Sequence, residues 1–202
     1  GIYQADVKPG DVKYVDVNHD GVINASDKVD LGNGLPKYTF GFNVNLAWKG
    51  FDLSANFTGA AGFQIAQSYR DPSSSQANYS RRILKRWTGE GTSNEIPRVT
   101  YGDVGNWLFS DLYLQDGDYI RLQNLTMGYD FKKLISWKGL SKMRLYFQVQ
   151  NLFTLTKYDG MDPEIGSFNG TNGNSSDSWV SGVDMGYYPH PRTFIVGLNL
   201  AF

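Results

Sequence analysis

The chain has 202 residues, with 19 lysines and arginines against 20 aspartates and glutamates, and therefore a formal net charge of -1. This balance gives no electrostatic basis for binding nucleic acid or for a polybasic membrane-surface protein. Cysteine is absent and histidine occurs twice, which excludes disulfides and thiolate metal sites and leaves too few ligands for a multi-histidine site. Aromatic residues make up 15% and glycine contributes 23 residues, a composition that favours β-structure.

Residues 1–36 are predicted to form a loop that contains a calcium-type motif. From residue 16 the sequence DVNHDGVINASD places oxygen-bearing side chains at positions 1, 3, 5, 9 and 12, glycine at position 6 and an aliphatic residue at position 8. This is the spacing of an EF-hand calcium loop, except that aspartate replaces the usual glutamate at the last position. The alternative is a turn in which these side chains bond to their own backbone. The predicted calcium ligands are Asp16, Asn18, Asp20, the carbonyl of Val22, Asn24 and Asp27.

Five later segments alternate apolar and polar residues with the two-residue period of a β-strand. The first two are joined by Lys49 and Gly50, a spacing that predicts a β-hairpin. In the third segment the parity of the apolar residues changes near Asn124, which predicts a bulge. The predicted strands span residues 37–49, 51–62, 119–131, 142–155 and 191–202.

Strand length, aromatic placement and connection length favour a membrane β-barrel over a soluble β-sandwich. The segments have about 10–12 residues, which matches a tilted membrane strand and is about twice the length usual in soluble sheets. Aromatic residues stand at strand ends, as in an interfacial girdle. The connections alternate between short turns and long loops at 63–117 and 156–190. Successive strands of a barrel cross the membrane in opposite directions. If the last strand ends in the periplasm, this alternation places both loops and residues 1–36 outside the cell.

Five strands cannot close a membrane barrel, because the smallest closed forms have about eight and an open edge leaves backbone groups unsatisfied in lipid. The chain is therefore expected to be completed by other strands, either from further copies or from a longer polypeptide of which it is the C-terminal part. No apolar run reaches the ~20 residues of a membrane helix. The first residues also lack the basic and apolar regions of a signal peptide, which favours the longer polypeptide.

Four sequence blocks resemble a known family. They are GDVKYVDVNHDGVINASDKVDLGNGLPKYTFGFNVNLAWKGFDLSANFTGAAG at 10–62, DGDYIRLQNLTMGYDF at 116–131, MRLYFQVQNLFTLTKYDGMDPEIG at 143–166 and GVDMGYYPHPRTFIVGLNLAF at 182–202. In order and spacing they resemble the C-terminal end of the SusC/RagA-type TonB-dependent outer-membrane transporters of Bacteroidetes. The resemblance covers nearly the whole chain and is weak in the long loops.

This resemblance implies an all-β fold, the C-terminal five or so antiparallel strands of a large transmembrane barrel of about 22 strands with long extracellular loops. It implies import of glycans or oligopeptides across the cell outer membrane, beneath a SusD-like lipoprotein lid. The partners would be the plug and the other barrel strands, outer-membrane lipid, and TonB through the missing N-terminal part. The alternative is a soluble calcium-binding adhesion or carbohydrate-binding β-sandwich.

Further candidate residues lie in the loops and at the C-terminus. Phe202 continues the apolar face of the last strand, and the resemblance implies that it acts as an outer-membrane assembly signal. Aromatic residues in the loops are predicted to contact the substrate or the lid, or else to pack within the loops themselves. These aromatic residues are Trp107, Tyr113, Trp179, Tyr187 and Tyr188.

The sequence contains no persuasive catalytic group, so no enzyme is predicted. Asp159, Asp162 and Glu164 form a carboxylate cluster, but no histidine or nucleophile stands near them in the sequence. A hydrogen-bonding role inside the barrel is the prediction for these three residues. Arg121 and Arg144 are predicted to bond to the plug or to line the channel.

Overall fold

A computed structural model of the chain describes residues 4, 6–68, 81–99, 105–135, 137–165 and 182–202, without the side chains of Trp107 and Lys133. Two compact units are present. One contains residues 1–32 and 68–114, and the other contains residues 33–67 and 115–202. Within the described part of the chain, no helix is long and apolar enough to cross a membrane.

The described residues form eight β-strands and several short 3-10 helices. In chain order the strands are β1 (Tyr38–Trp48), β2 (Phe51–Ala61), β3 (Gln64–Gln67), β4 (Leu114–Asp116), β5 (Tyr119–Asp130), β6 (Lys142–Thr156), β7 (Val183–Asp184) and β8 (Thr193–Ala201). The 3-10 helices are Ala25–Asp27, Arg81–Lys85, Gly105–Trp107, Asp111–Tyr113 and Phe131–Lys133. The five long strands form one antiparallel sheet in the order β1-β2-β5-β6-β8. The prediction of an all-β fold with five long antiparallel strands is confirmed.

The large sheet has an apolar and a polar face, because successive residues of a strand point to opposite sides. In the rows of directly paired residues that cross all five strands, apolar residues lie beside apolar ones and polar residues beside polar ones. One apolar row consists of Val44, Ala55, Leu125, Val149 and Phe194. The neighbouring polar row consists of Asn43, Asn56, Asn124, Gln150 and Thr193. β1 and β8 form the two edges of this sheet, so each has one side without a paired strand among the described residues.

The predicted hairpin between β1 and β2 closes with left-handed backbone at both turn residues, with φ of 48° at Lys49 and 100° at Gly50. Turns of this hand match the twist of the strands that they join. Aromatic rings gather on the apolar face at this end of the sheet. The rings of Phe51 and Tyr129 have centroids 4.4 Å apart, and those of Trp137 and Phe202 are 6.1 Å apart.

Bulges shift the register of the sheet toward its other end. Asn56, Asn124 and Gln150 form one set of paired residues, and Phe57, Leu122 and Phe153 form the next set. From the first set to the second, the chain moves by one residue in β2, by two in β5 and by three in β6. The predicted change of parity near Asn124 is therefore confirmed. Because β5 contains the additional Gln123, Leu122 returns to the apolar face and Arg121 lies on the polar face. In β6 the additional length includes Asn151, whose φ of 51° is left-handed.

Beyond the bulges, a second sheet of three short strands has β3 between β4 and β7, with β7 parallel to β3. Its central residue Ile65 has no exposed surface and packs with Phe63, Tyr158 and Ala60 of β2. The buried Asp184 accepts a hydrogen bond from the hydroxyl of Tyr158. These short strands were not predicted from the sequence, because segments of two to four residues are too short to show a period.

The other unit is organised around Asp11. The guanidinium of Arg98 donates to both carboxylate oxygens of Asp11, at 2.6 and 2.9 Å, and the amide of Asn106 donates to one of them at 2.8 Å. Asn106 in turn accepts a hydrogen bond from the backbone N–H of Val12 at 2.7 Å. Burial acts to raise the pKa of Asp11, but the hydrogen bonds from Arg98 and Asn106 prevail and lower it to about 2.

Candidate functional site

Arg121 lies at the centre of a charged cluster on the polar face, just beyond the bulge in β5. Its side chain reaches Thr154 on β6 and two carboxylates of the loop that follows β6. The Nε group donates to the hydroxyl of Thr154 at 3.0 Å, and one terminal nitrogen donates to Glu164 at 2.7 Å. The other terminal nitrogen donates to Asp162. Arg121 is only 3% exposed and Asp162 only 4%, so the pair is removed from water.

His190 joins this cluster from the segment that precedes β8. Its Nδ1 atom lies 3.1 Å from one oxygen of Asp162, and its backbone N–H donates to the same oxygen at 3.2 Å. Proximity in the sequence did not reveal this histidine, because it stands 28 positions after Asp162. Although burial acts to raise the pKa of Asp162, hydrogen bonds from Glu164 and His190 and the charge of Arg121 hold that pKa below its ordinary value.

The cluster has the residue types of a metal site, but its charges are already compensated. Ligand atoms of Asp162, Glu164 and His190 lie within 4.8 Å of one another, the one such group among the residues that the structure describes. The guanidinium of Arg121 bridges both carboxylates and occupies the position of a counter-ion. A second cation there would meet a fixed positive charge at close range. The arrangement favours a structural ion network over a metal centre.

A second arginine lies on the polar face near the hairpin end. Arg144 on β6 donates through two nitrogens to the carboxylate of Asp52 on β2, across the intervening strand β5. Gly128 of β5 makes this crossing possible, because a Cβ at that position would lie 2.6 Å from the guanidinium. Arg121 and Arg144 each form an ion pair within this chain, and their predicted bonding to the plug or lining of the channel stays a prediction.

In the calcium-type loop, the aspartate side chains accept hydrogen bonds from the backbone of the loop itself. Asp16 accepts from Gly21 N–H at 2.8 Å, and Asp20 accepts from Val22 N–H at 2.8 Å. Asp27 accepts from Val17 and Asn24 N–H groups at 2.9 and 2.7 Å. The hydrogen bond from Asn24 is the largest of the causes that lower the pKa of Asp27.

Two features of this loop bear on a cation. The second carboxylate oxygen of Asp16 is buried and has no hydrogen-bond partner in the described part of the chain, although buried oxygens are usually satisfied. Gly21 has a φ of 84°, which permits the sharp turn at the sixth position of the motif. The hydrogen bonds match the turn alternative, whereas the unsatisfied oxygen suits a bound cation.

The remaining predicted residues are dispersed. Tyr113 is half-buried and its hydroxyl donates to the carbonyl of Asn106 at 2.7 Å. Tyr188 is 83% exposed, and the neighbouring Tyr187 is half-buried. Trp179 and the side chain of Trp107 lie outside the described residues. Phe202 is 79% exposed at the aromatic end of the apolar face.

No family model matches the chain. Among curated proteins it is 35% identical over 199 residues to "TonB-dependent receptor P3" of Formosa agariphila, a match that covers 98% of this chain and 19% of that protein. It is also 29% identical over 205 residues to "TonB-dependent receptor SusC" of Bacteroides thetaiotaomicron, covering 100% of the chain and 18% of the relative. The chain therefore spans about a fifth of the length of the curated relatives that it matches.

Solved structures of similar fold come from a peptide transport complex. The chain matches "Structure of the RagAB peptide importer in the 'closed-closed' state" with a TM-score of 0.67 and 24% identity, over 96% of this chain and 20% of the other. It matches "Structure of the RagAB peptide transporter" with a TM-score of 0.64 and 25% identity, over 85% of this chain and 18% of the other. These likenesses support the fold of the large sheet.

Proposed function

Because the chain is a partial SusC/RagA-like TonB-dependent transporter, we propose that it forms five neighbouring strands of the wall of an outer-membrane nutrient importer. The supporting observation is the large sheet, which keeps an apolar and a polar face across all five strands and, among the described residues, has no strand paired to either of its two edges. In lipid, unpaired strand edges are costly, so strands from the rest of the transporter complete the barrel.

In this arrangement the apolar face contacts lipid and the polar face borders the interior, where a plug lies. The polar row through Asn56 and Asn124 supplies amide groups that can bond to a plug without fixed charges. The two inward arginines are neutralised within the chain, which leaves few uncompensated charges on this part of the wall. Coupling to TonB belongs to parts of the transporter outside the matched fifth.

The cargo that fits this proposal is a glycan or an oligopeptide, received beneath a SusD-like lipoprotein lid. The loop aromatic residues support contact with such cargo or with the lid. Tyr188 supports it most directly, because a ring that is 83% exposed can pack against a sugar face or a side chain. Trp107, Tyr113, Trp179 and Tyr187 are proposed to contribute to the same contacts.

Two structural roles complete the proposal. Calcium bound by Asp16, Asn18, Asp20, the Val22 carbonyl, Asn24 and Asp27 would stabilise the N-terminal loop. Hard oxygen ligands suit this ion, and the buried oxygen of Asp16 has no hydrogen-bond partner among the residues that the structure describes. Phe202 is proposed to be read by the outer-membrane assembly machinery, and its exposure at the chain end supports this role.

The function is tested by uptake in cells that express the full-length transporter, compared with cells that lack it. Two labelled pools, one of oligosaccharides and one of oligopeptides, are supplied in parallel with and without a protonophore. Uptake of one pool that requires both the transporter and the proton gradient is the expected result and identifies the cargo class. If the transporter-dependent uptake of both pools is zero, or if the protein is extracted without detergent, the proposal is wrong.

A further inference from the structure

The loop between β6 and β8 begins and ends at the same arginine. Asp162 and Glu164 lie in its first part, and His190 lies just before β8. Arg121 donates to both carboxylates, and Asp162 receives two contacts from His190. Two points that are distant in sequence are therefore held together on the polar face through two buried side chains, Arg121 and Asp162.

Further contacts hold the second part of this loop on both sides of Tyr188. Before it, the buried Asp184 accepts hydrogen bonds from the backbone N–H groups of Gly186 and Tyr187, at 2.8 and 3.0 Å. After it, the side chain of Asn151 donates to the carbonyl of Pro191 at 3.1 Å. Asn151 belongs to the bulge of β6, so the irregularity of the strand directly secures the end of the loop.

We propose that Arg121 is a positioning residue, which clamps both ends of the β6–β8 loop to the wall and thereby holds Tyr188 in a preformed orientation for cargo. The contact with cargo rests on the proposed import function, whereas the clamp itself does not. A rigidly presented ring loses little conformational freedom when it binds, and this lowers the entropic cost of the contact. Lysine could not replace Arg121, because its single ammonium lacks the planar fork that reaches Thr154, Asp162 and Glu164 together.

The clamp is tested first by hydrogen exchange in the full-length transporter. Arg121→Met leaves two carboxylates without their buried counter-ion, so amides in 162–165 and 182–192 should exchange at least about 100-fold faster. Exchange in β5 and β6 on the hairpin side of the bulge should be unchanged. Arg144→Met is the matched control, because it breaks an ion pair on the same face but between strands. It should leave exchange in 182–192 unaltered.

A second variant tests the clamp in case Arg121→Met does not assemble. Asp162→Asn keeps the shape of the side chain and removes its charge, so it should also accelerate exchange in 182–192 if the clamp is electrostatic. Unaltered exchange in 182–192 for both assembled variants would overturn the proposal. If Arg121→Met does not assemble, the result with Asp162→Asn decides.

Concentration-dependent uptake of the imported pool separates positioning from general stability. With rates normalised to the transporter present in the membrane, Arg121→Met and Tyr188→Ala should raise the half-saturating concentration by a similar factor, roughly tenfold for one lost aromatic contact. The maximal rate should be retained. Arg144→Met should change neither quantity. If Tyr188→Ala lowers the maximal rate and leaves the half-saturating concentration unchanged, the cargo contact is refuted. If Tyr188→Ala alters only the amount of lid lipoprotein that co-purifies with the transporter, Tyr188 contacts the lid instead. If neither pool is imported by the unmodified transporter, the import function fails while the exchange experiment still decides on the clamp.

Discussion

Placing a charge in the middle of the apolar face should destabilise the transporter, whereas the same charge one residue away should not. Val44 lies six residues from Tyr38 and four from Trp48 on the apolar side of β1. At ~3.4 Å per residue these separations are about 20 and 14 Å along the strand. In the proposed barrel, a strand tilt of about 40° would reduce them to roughly 15 and 10 Å along the membrane normal, which would place Val44 near the midplane of a ~25 Å apolar band.

The Val44→Arg variant should therefore lose about 2–4 kcal/mol, which lowers the folding equilibrium constant roughly 30-fold to 700-fold. Asn45→Arg is the matched control, because Asn45 has nearly the same depth but lies on the polar face beside Ser54. The measurement is the urea midpoint of the full-length transporter in lipid bilayers, together with its level in the outer membrane. Equal losses at the two positions would refute the assignment of the faces.

Three further predictions concern the C-terminus and the N-terminal unit. Deletion of Phe202 should lower the outer-membrane level without reducing synthesis, as measured by immunoblots of membrane fractions and whole cells, whereas Phe202→Tyr should preserve the level. Calcium removal by chelator, or Asp20→Ala with calcium present, should accelerate proteolysis within residues 14–30. Asp30→Ala is the control, because Asp30 lies outside the motif. The same cleavage rate with chelator as with calcium would exclude a bound ion. Asp11 has a folded-state pKa of about 2, below its ordinary 3.8, so it adds stability that is present above pH ~4 and is lost as the pH falls through 2. Protection of the backbone amide hydrogens of Val12 and Arg98 from exchange, followed from pH 5 to 2, should report this loss of up to about 2 kcal/mol. Asp11→Asn should abolish the pH dependence of that protection.

The faces and pairing of the long strands could be predicted from the sequence because side chains alternate with a period of two. A single unbroken alternation, such as that from Tyr38 to Trp48, specifies which residues share a face before any partner strand is known. The two-residue spacing at Lys49 and Gly50 then specifies the register of β1 and β2. The change of parity near Asn124 also marked the bulge, because an added residue reverses the faces on one side of it.

The charged cluster could not be predicted in the same way. Asp162 and His190 stand 28 positions apart, on either side of a long connection, and no local period relates them. The bulges decide that Arg121 points to the polar face and that Asn151 reaches Pro191. The sequence therefore indicated the carboxylates without their histidine, and it did not indicate which carboxylates pair with the two arginines.

The sequence by itself determined the all-β class, the two chemically distinct faces of the large sheet and the calcium-type spacing of residues 16–27, because each depends on residues that are close in the chain. Only the tertiary structure decided which distant groups meet: Arg98 with Asp11, Arg144 with Asp52 across Gly128, and Arg121 with both ends of the loop before β8. Such contacts depend on strand order, register and the added residues in β5 and β6. A long connection allows its ends many positions, and the burial of a charge together with its counter-ion selects one of them.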